Sequence, residues 1–102
     1  MNAPFAPGAD PVLRGRLRLG VVAWLAGRGA TAFTDLADGL ETANAVLSVQ
    51  LRQLEEAGYV RLDRGFAGRR PRTTVALTPA GRTAYERHLD RLLRLASEGR
   101  GA

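Results

Sequence analysis

The sequence predicts an α+β fold that is mostly α-helical, with three helices, a two-stranded β-hairpin and a C-terminal helix. Three observations support this prediction. Apolar residues recur at helical spacing as far as residue 58, they alternate with polar residues between residues 60 and 77, and a Thr-Pro pair restarts a helix at residues 78–79. With 102 residues, 45% of them hydrophobic, the chain can form one small domain with one core.

The domain boundaries and the first helix follow from residues that start and stop helices. Residues 1–9, rich in Pro, Gly and Ala, are expected to be a flexible arm, residues 10–98 the folded domain and residues 99–102 a frayed tail. The first helix is predicted from Asp10, a capping carboxylate that precedes a proline, to about Ala26. Its expected buried residues are Val12, Leu13, Leu17, Val21, Trp24 and Leu25.

Two further helices precede the hairpin. A short helix is predicted over Thr34–Leu40 after a glycine-rich break. A third helix is predicted to begin after Thr42, whose hydroxyl can cap it, and to end at Gly58. Three residues recur at helical spacing in this helix and are expected to face the core: Leu47, Leu51 and Leu54.

The hairpin is predicted from a change of period after Gly58. Its alternating apolar residues are Val60, Leu62, Val75 and Leu77. Between the two strands we expect an eight-residue loop, Gly65–Arg72, at the tip. Thr78 then caps a final helix that ends at about Glu98. Because an isolated two-stranded hairpin is unstable in water, this one must pack on the helices.

The positive charge of the chain is concentrated in the hairpin. All 15 basic residues are arginine, and 10 acidic residues leave a net charge of +5. Between Tyr59 and Arg82 there are six arginines and one acid, Asp63, so this segment carries the whole excess. A cationic tip of this kind is suited to binding DNA phosphates or entering a minor groove. The alternative is a charged loop that only keeps the protein in solution.

The outer face of the third helix carries small, amide and hydroxyl side chains where a solvated helix usually has Glu and Lys. Small residues allow close approach to the floor of a major groove, amides can pair with adenine, and Ala or Val can contact a thymine methyl. The alternative is a helix packed against a second apolar neighbour. The composition of this face favours DNA recognition.

Three blocks of the sequence, in this order, resemble winged helix-turn-helix transcriptional regulators: Leu47–Val60, Gly68–Thr74 and Leu77–Arg82. The chain is most similar to the small MarR/ArsR-like winged helix regulators, over about residues 10–97. The resemblance implies that the third helix reads the major groove and that the hairpin is the wing. The residues it implies at the DNA are Asn44, Ala45, Ser48, Val49 and Arg52 on the helix, and Arg69, Arg70 and Arg72 on the wing.

Residue chemistry adds Gln53 to the expected determinants of base specificity and Arg64 to the expected phosphate contacts of the wing. The chain departs from the family pattern at the start of the third helix, Ala43–Ser48, and at Gln50, where relatives usually carry histidine. The DNA sequence recognised by relatives therefore does not transfer to this chain.

The last helix carries an apolar stripe that predicts a homodimer. Leucines beyond those needed to pack on one domain indicate a second chain as partner, and the resemblance points the same way. The predicted dimerisation residues are Tyr85, Leu89, Leu92, Leu93 and Ala96. A two-fold dimer implies a pseudo-palindromic operator. Packing within one chain is the alternative.

Other chemistry is largely excluded. The absence of cysteine and the presence of one histidine exclude disulfides, thiolate metal sites and multi-histidine metal sites, so no metal or other cofactor is expected. We expect no enzyme activity, because the acidic pairs lack a partner histidine or nucleophile. His88 is interpreted as a surface or interface side chain. Trp24 is interpreted as core, with an effector pocket as the alternative.

The combined prediction is a cytoplasmic, homodimeric, sequence-specific repressor that binds double-stranded DNA, with no membrane segment and no identified small-molecule or protein effector. Repression is favoured over activation because the chain has no room for an activation domain. The main alternative is a winged-helix module that binds a protein partner or effector without specific DNA binding. RNA binding ranks lower, because Phe66 is the only obvious exposed aromatic residue for base stacking.

Overall fold

The computed structural model describes residues 10–101, without the side chains of residues 100 and 101. The predicted flexible arm, residues 1–9, lies outside the described residues. After a 3-10 turn, the chain forms four helices and three strands. The elements are the 3-10 turn Val12–Arg14, α1 Arg16–Arg28, β1 Thr31–Ala32, α2 Phe33–Gly39, α3 Asn44–Glu56, β2 Val60–Ala67, β3 Arg70–Leu77 and α4 Pro79–Gly101. The predicted α+β class with mostly helical content is confirmed.

The predicted first helix is divided in two, because Gly15 adopts an extended conformation with ψ of 126°. The Asp10 carboxylate accepts a hydrogen bond from the Val12 backbone N–H at 3.0 Å, which caps the 3-10 turn rather than a long helix. A Cβ at residue 15 would lie 2.6 Å from the Arg18 Cζ, so the guanidinium occupies space that only glycine leaves free. The helix α1 therefore begins at Arg16.

The hydrophobic core lies between the helices and the inner face of the sheet. Leu13, Val21 and Leu25 are fully buried as predicted, whereas Val12, Leu17 and Trp24 are half-buried. The principal core residues are Leu13, Val21, Val22, Leu25, Leu36, Leu47, Leu51, Leu54, Val60 and Val75. The leucines of α3 fix its rotation, so its opposite face points outward.

The sheet is antiparallel with strand order β1-β3-β2. The strand β1 was not predicted, because two residues are too short to show a period, and it pairs only with Thr74 and Val75 of β3. The predicted eight-residue loop is wrong, since pairing between β2 and β3 continues as far as Ala67 and Arg70. Gly68, with φ of 65°, supplies the first position of a two-residue turn.

The long helix α4 begins as predicted and ends later. Thr78 caps it, with the hydroxyl accepting the Gly81 N–H at 2.9 Å. The helix continues to Gly101, beyond the predicted end at about Glu98, and the fraying of residues 99–102 stays a prediction; residue 102 lies outside the described part. Glycine lowers helix propensity by about 1 kcal/mol but does not block helical hydrogen bonding as proline does.

Candidate nucleic-acid interface

The outer face of α3 presents every predicted recognition residue to the exterior. The exposed residues are Asn44, Ala45, Ser48, Val49, Arg52 and Gln53. Val46, which was not among them, is also 48% exposed beside Val49 at 45%. The predicted Thr42 cap is absent: the residue before α3 is Ala43 and no side chain caps the helix. The first turn of α3 therefore keeps backbone N–H groups that can face an anion.

The second half of α3 is held by a residue that the sequence analysis did not identify. Arg18 Nη1 donates to Gln53 Oε1 at 2.6 Å and to Gln50 Oε1 at 2.8 Å. Its Nε donates to the Val12 carbonyl at 2.6 Å. The carbonyl oxygen of Gln53 is thus engaged within the protein, which leaves its amide N–H groups as the free donors. No local sequence signal connects Arg18 with a residue 35 positions away.

The wing, defined as β2, β3 and their turn, carries five exposed arginines: Arg61 near its base, and the four predicted wing residues nearer its tip, Arg64, Arg69, Arg70 and Arg72. The single acid of this segment, Asp63, accepts a hydrogen bond from Arg61 Nε at 3.0 Å. Since Asp63 and Arg61 are separated by two residues on one strand, they share a face. The outer part of the wing, beyond Asp63, therefore has positive charge and no acid.

A groove of about 250 Å³ connects α3 with the wing. Ser48 and Arg52 line it from α3, and Arg64 and Thr73 line it from the two wing strands. Glu55 of α3 also lines this groove. The candidate recognition helix and the candidate wing thus border one continuous surface.

Hydrogen bonds at the base of the wing fix its direction. The Thr78 N–H donates to the Tyr59 carbonyl at 3.0 Å, and the Thr78 hydroxyl donates to the Gly58 carbonyl at 2.6 Å. The Tyr59 hydroxyl donates to Asp10 Oδ2 at 2.6 Å. This hydrogen bond, together with burial and the negative charge of Asp10, raises the pKa of Tyr59 to about 12. The wing is thereby anchored to α4 and to the residues before α1.

The predicted dimerisation stripe lies along one side of α4, and its residues differ in exposure along the helix. Leu89 and Leu92 are 41% and 42% exposed, and Leu93 is 61% exposed. Ala96 is exposed as well, whereas Tyr85 is half-buried against the core of its own domain. The exposed apolar residues remain available to a second chain, but Tyr85 is largely committed to packing within one chain.

His88 does not lie on the surface as interpreted from the sequence. It is 9% exposed on the face of α4 that also contains Tyr85, about one helical turn away, and Gly81, about two turns away. Helix α4 packs on α1, which accounts for the burial of this face. Among the described residues, His88 Nδ1 and Arg91 Nε are buried without a hydrogen-bond partner.

Within residues 10–101 there is no group of three or more His, Asp or Glu residues that could hold a metal ion. None of the helices in this described range is long and apolar enough to cross a membrane.

The comparison with known families agrees with this geometry. Residues 17–96 match the family model described as a winged helix DNA-binding domain, and the chain belongs to this family. It is a winged-helix DNA-binding transcriptional regulator of the MarR type. The family and its structural neighbours are transcriptional regulators rather than enzymes. No curated protein sequence is significantly similar to the chain.

Several solved structures share the fold. A transcriptional regulator homologue from Pyrococcus horikoshii OT3 is 29% identical, with a TM-score of 0.81 over 85% of this chain and 86% of that one. A protein described as a MarR-family transcriptional regulator from Enterococcus faecalis V583 is 26% identical, with a TM-score of 0.68 over 88% and 77%. BpsR of Bordetella bronchiseptica, whose DNA binding is regulated by 6-hydroxynicotinic acid, is 19% identical, with a TM-score of 0.72 over 92% and 70%.

Proposed function

We propose that this protein is a homodimeric, sequence-specific repressor that binds double-stranded DNA. Helix α3 lies in the major groove, and the wing contacts phosphates and the adjacent minor groove. The observation that carries the proposal is the groove shared by Ser48 and Arg52 of α3 and Arg64 of the wing. A base-reading face and a phosphate-binding surface then follow the same stretch of duplex.

Base specificity is assigned to the first half of α3. The N-terminal residues of a recognition helix contact base edges in helix-turn-helix proteins. Asn44 and Ser48 can exchange hydrogen bonds with bases, and Ala45 and Val49 can contact thymine methyl groups. Gln53 contributes chiefly as a donor, because its carbonyl oxygen already accepts a hydrogen bond from Arg18.

Affinity is assigned chiefly to the arginines of the outer wing and to Arg52. The four arginines of the outer wing are exposed, and the single acid of the hairpin, Asp63, is paired with Arg61. Positive side chains at phosphates release counterions, which favours binding to any duplex. This contribution is independent of sequence.

The dimer is assigned to the exposed leucines of α4. Leu93, the most exposed of them at 61%, has no packing role within the described part of its own chain. A two-fold axis through α4 gives two copies of α3 and therefore two half-sites. A dimer that covers both half-sites excludes other proteins from that DNA, which is the simplest basis for repression. In this role the protein acts in the cytoplasm, where the DNA that it binds is located.

The first experiment is a selection of bound duplexes from a random pool. We expect a pseudo-palindrome whose half-sites lie about 10–10.5 base pairs apart, or a multiple of that spacing. Light scattering should show a dimer that gains mass with the selected duplex. A protein that selects no sequence and gains no mass would instead be a winged-helix module for a protein partner or effector.

The second experiment measures affinity for the selected duplex as a function of salt. With four outer-wing arginines and Arg52 in each chain, and hence ten per dimer, full engagement gives a log–log slope of about −9. Replacing Arg69 and Arg70 together by alanine should make this slope about 3.6 less steep, since four phosphate contacts per dimer are lost.

The matched control for the wing variant replaces Arg16 and Arg87, two exposed arginines outside the wing, by alanine. It removes the same charge and should leave the slope unchanged. If both double variants made the slope less steep by the same amount, net charge rather than the wing would account for the salt dependence of binding.

A further inference from the structure

One apolar side chain at the outer end of the wing is not explained by the fold. Phe66 is 75% exposed, more than any other large hydrophobic residue whose exposure the structure describes. It takes no part in the core. Its pairing partner on β3 is Pro71, so two apolar side chains lie opposite each other near the tip. The alternation of a strand places Phe66 on the same face as Leu62 and Arg64, which is the face that lines the groove with α3.

The wing does not require an aromatic residue at this position. Beyond Thr73, towards the tip, β3 pairs only with β2, because β1 reaches no further than Thr74. No helix or third strand within residues 10–101 covers Phe66, whose ring is exposed. Replacing it should therefore change the surface of the wing without removing any packing within residues 10–101.

The charge around Phe66 identifies the partner. Arginines lie within a few positions of it: Arg64 on the same face of the strand pair, Arg69 in the turn, and Arg70 and Arg72 on the opposite face of β3. The single acid of the hairpin, Asp63, is paired with Arg61. An apolar tip surrounded by cations fits a partner with apolar walls and an anionic rim. The minor groove has this chemistry, with sugars and base edges between two rows of phosphates.

We propose that Phe66 is an apolar wedge that enters the minor groove and partly unstacks one base step, while the neighbouring arginines hold the phosphates on either side. The inference rests on the proposed function and adds a specificity mechanism to it. Inserted apolar side chains kink duplex DNA, and the cost depends on the step that is opened. Flexible pyrimidine–purine steps cost least, so Phe66 selects for such a step without a hydrogen bond to any base.

The test uses the full chain and a duplex selected from the random pool by the wild-type protein. 2-Aminopurine replaces adenine at successive positions under the wing, and dyes at the two ends report the bend by energy transfer. For the wild type we expect increased 2-aminopurine fluorescence at one step and a bend of about 20–90°. Phe66→Ala should lose both signals, and Phe66→Leu should retain part of each.

One further variant, one folding control and one further probe separate a wedge from a phosphate contact, from misfolding and from membrane binding. Arg69→Ala should weaken binding but keep the fluorescence increase at saturating protein, since the wedge is intact. Circular dichroism should show Phe66→Ala as folded as the wild type, because the ring is exposed. Vesicles of phosphatidylserine test the other anionic surface with apolar depth, and we expect no binding that depends on Phe66.

The outcomes distinguish this inference from the proposed function. A wild type that selects no duplex would refute the proposed function and the wedge with it. If Phe66→Ala bound the selected duplex with wild-type bend and fluorescence, DNA binding would stand and the wedge would be wrong. Vesicle binding lost in Phe66→Ala, with DNA bending unchanged, would also overturn the wedge and assign the tip to a membrane surface.

Discussion

Gly81 lies where α4 meets the base of the wing, and its replacement by alanine should destabilise the protein. A Cβ at this position would be 2.1 Å from the Tyr59 carbonyl oxygen and 2.8 Å from Leu77 Cδ1. The carbonyl cannot move freely, because it accepts the Thr78 N–H at 3.0 Å. A normal carbon–oxygen contact is about 3.3 Å, so α4 or β2 must shift by about 1 Å.

The size of the effect follows from two opposing contributions. Alanine favours helix over glycine by about 1 kcal/mol. Overpacking against backbone costs about 1–3 kcal/mol, and a weakened Thr78–Tyr59 hydrogen bond costs about 1 kcal/mol more. The net loss is about 2 kcal/mol, or about 8–16 °C in Tm for a domain of this size. The shift also turns the wing relative to α3, so DNA affinity should fall.

The same substitution at Gly20 is the matched control. A Cβ there would lie 3.6 Å from Leu40 Cδ2, an ordinary contact in the interior of α1. Gly20→Ala should raise Tm, because only the propensity gain remains. Thermal unfolding followed by circular dichroism compares the two variants at one protein concentration. Equal stability of Gly81→Ala and Gly20→Ala would refute the close contact at the wing base.

Two other predictions concern the anchoring of the wing and the dimer. Because the pKa of Tyr59 is raised from 10.0 to about 12, its hydrogen bond to Asp10 stabilises the fold fully below pH 10, and that stability is lost as pH rises towards 12. Tyr59→Phe should be less stable than the wild type at pH 8, by about 1 kcal/mol in denaturant unfolding. Its free energy of unfolding should also fall less between pH 10 and 12 than that of the wild type. Leu93→Glu places a charge in the exposed stripe of α4 and should give monomers in light scattering, with a shallower salt dependence of DNA binding.

Each of these has an outcome that contradicts it. The chain has no lysine, so no side-chain ammonium group titrates between pH 10 and 12. If Tyr59→Phe lost as much folding stability between pH 10 and 12 as the wild type, the alkaline loss would not come from Tyr59. For the dimer, Thr83→Glu introduces the same charge at an exposed position of α4 outside the stripe. Dissociation in both variants would show a general effect of charge.

The elements with strong local chemistry could be predicted from the sequence. Leu47, Leu51 and Leu54 determine both the existence of α3 and its rotation, because burying one face leaves the other exposed. The hydroxyl of Thr78 and the proline after it determine the start of α4, and the cap hydrogen bond is present. The exposed candidate residues follow from these two facts and from the charge of the hairpin.

The elements that depend on tertiary contacts could not be predicted. Gly15 reads as an ordinary helical position until the Arg18 guanidinium is seen to fill the space beside it. The hairpin tip looks like a loop because of its glycines and Pro71, yet β3 has no outer neighbour there and proline costs it no hydrogen bond. His88 is polar and reads as exposed, but the packing of α4 on α1 buries it.

The two halves of α3 differ in what they can contribute to recognition. Both halves show small and amide residues on a helical wheel, so periodicity alone assigns Asn44 and Gln53 equal freedom. The hydrogen bond from Arg18 reduces that equality, because it takes up one of the two lone pairs of the Gln53 carbonyl oxygen and orients the side chain toward Arg18. In the proposed complex, bidentate readout of adenine is therefore assigned to Asn44, whose side chain is exposed at the end of α3 that has no side-chain cap.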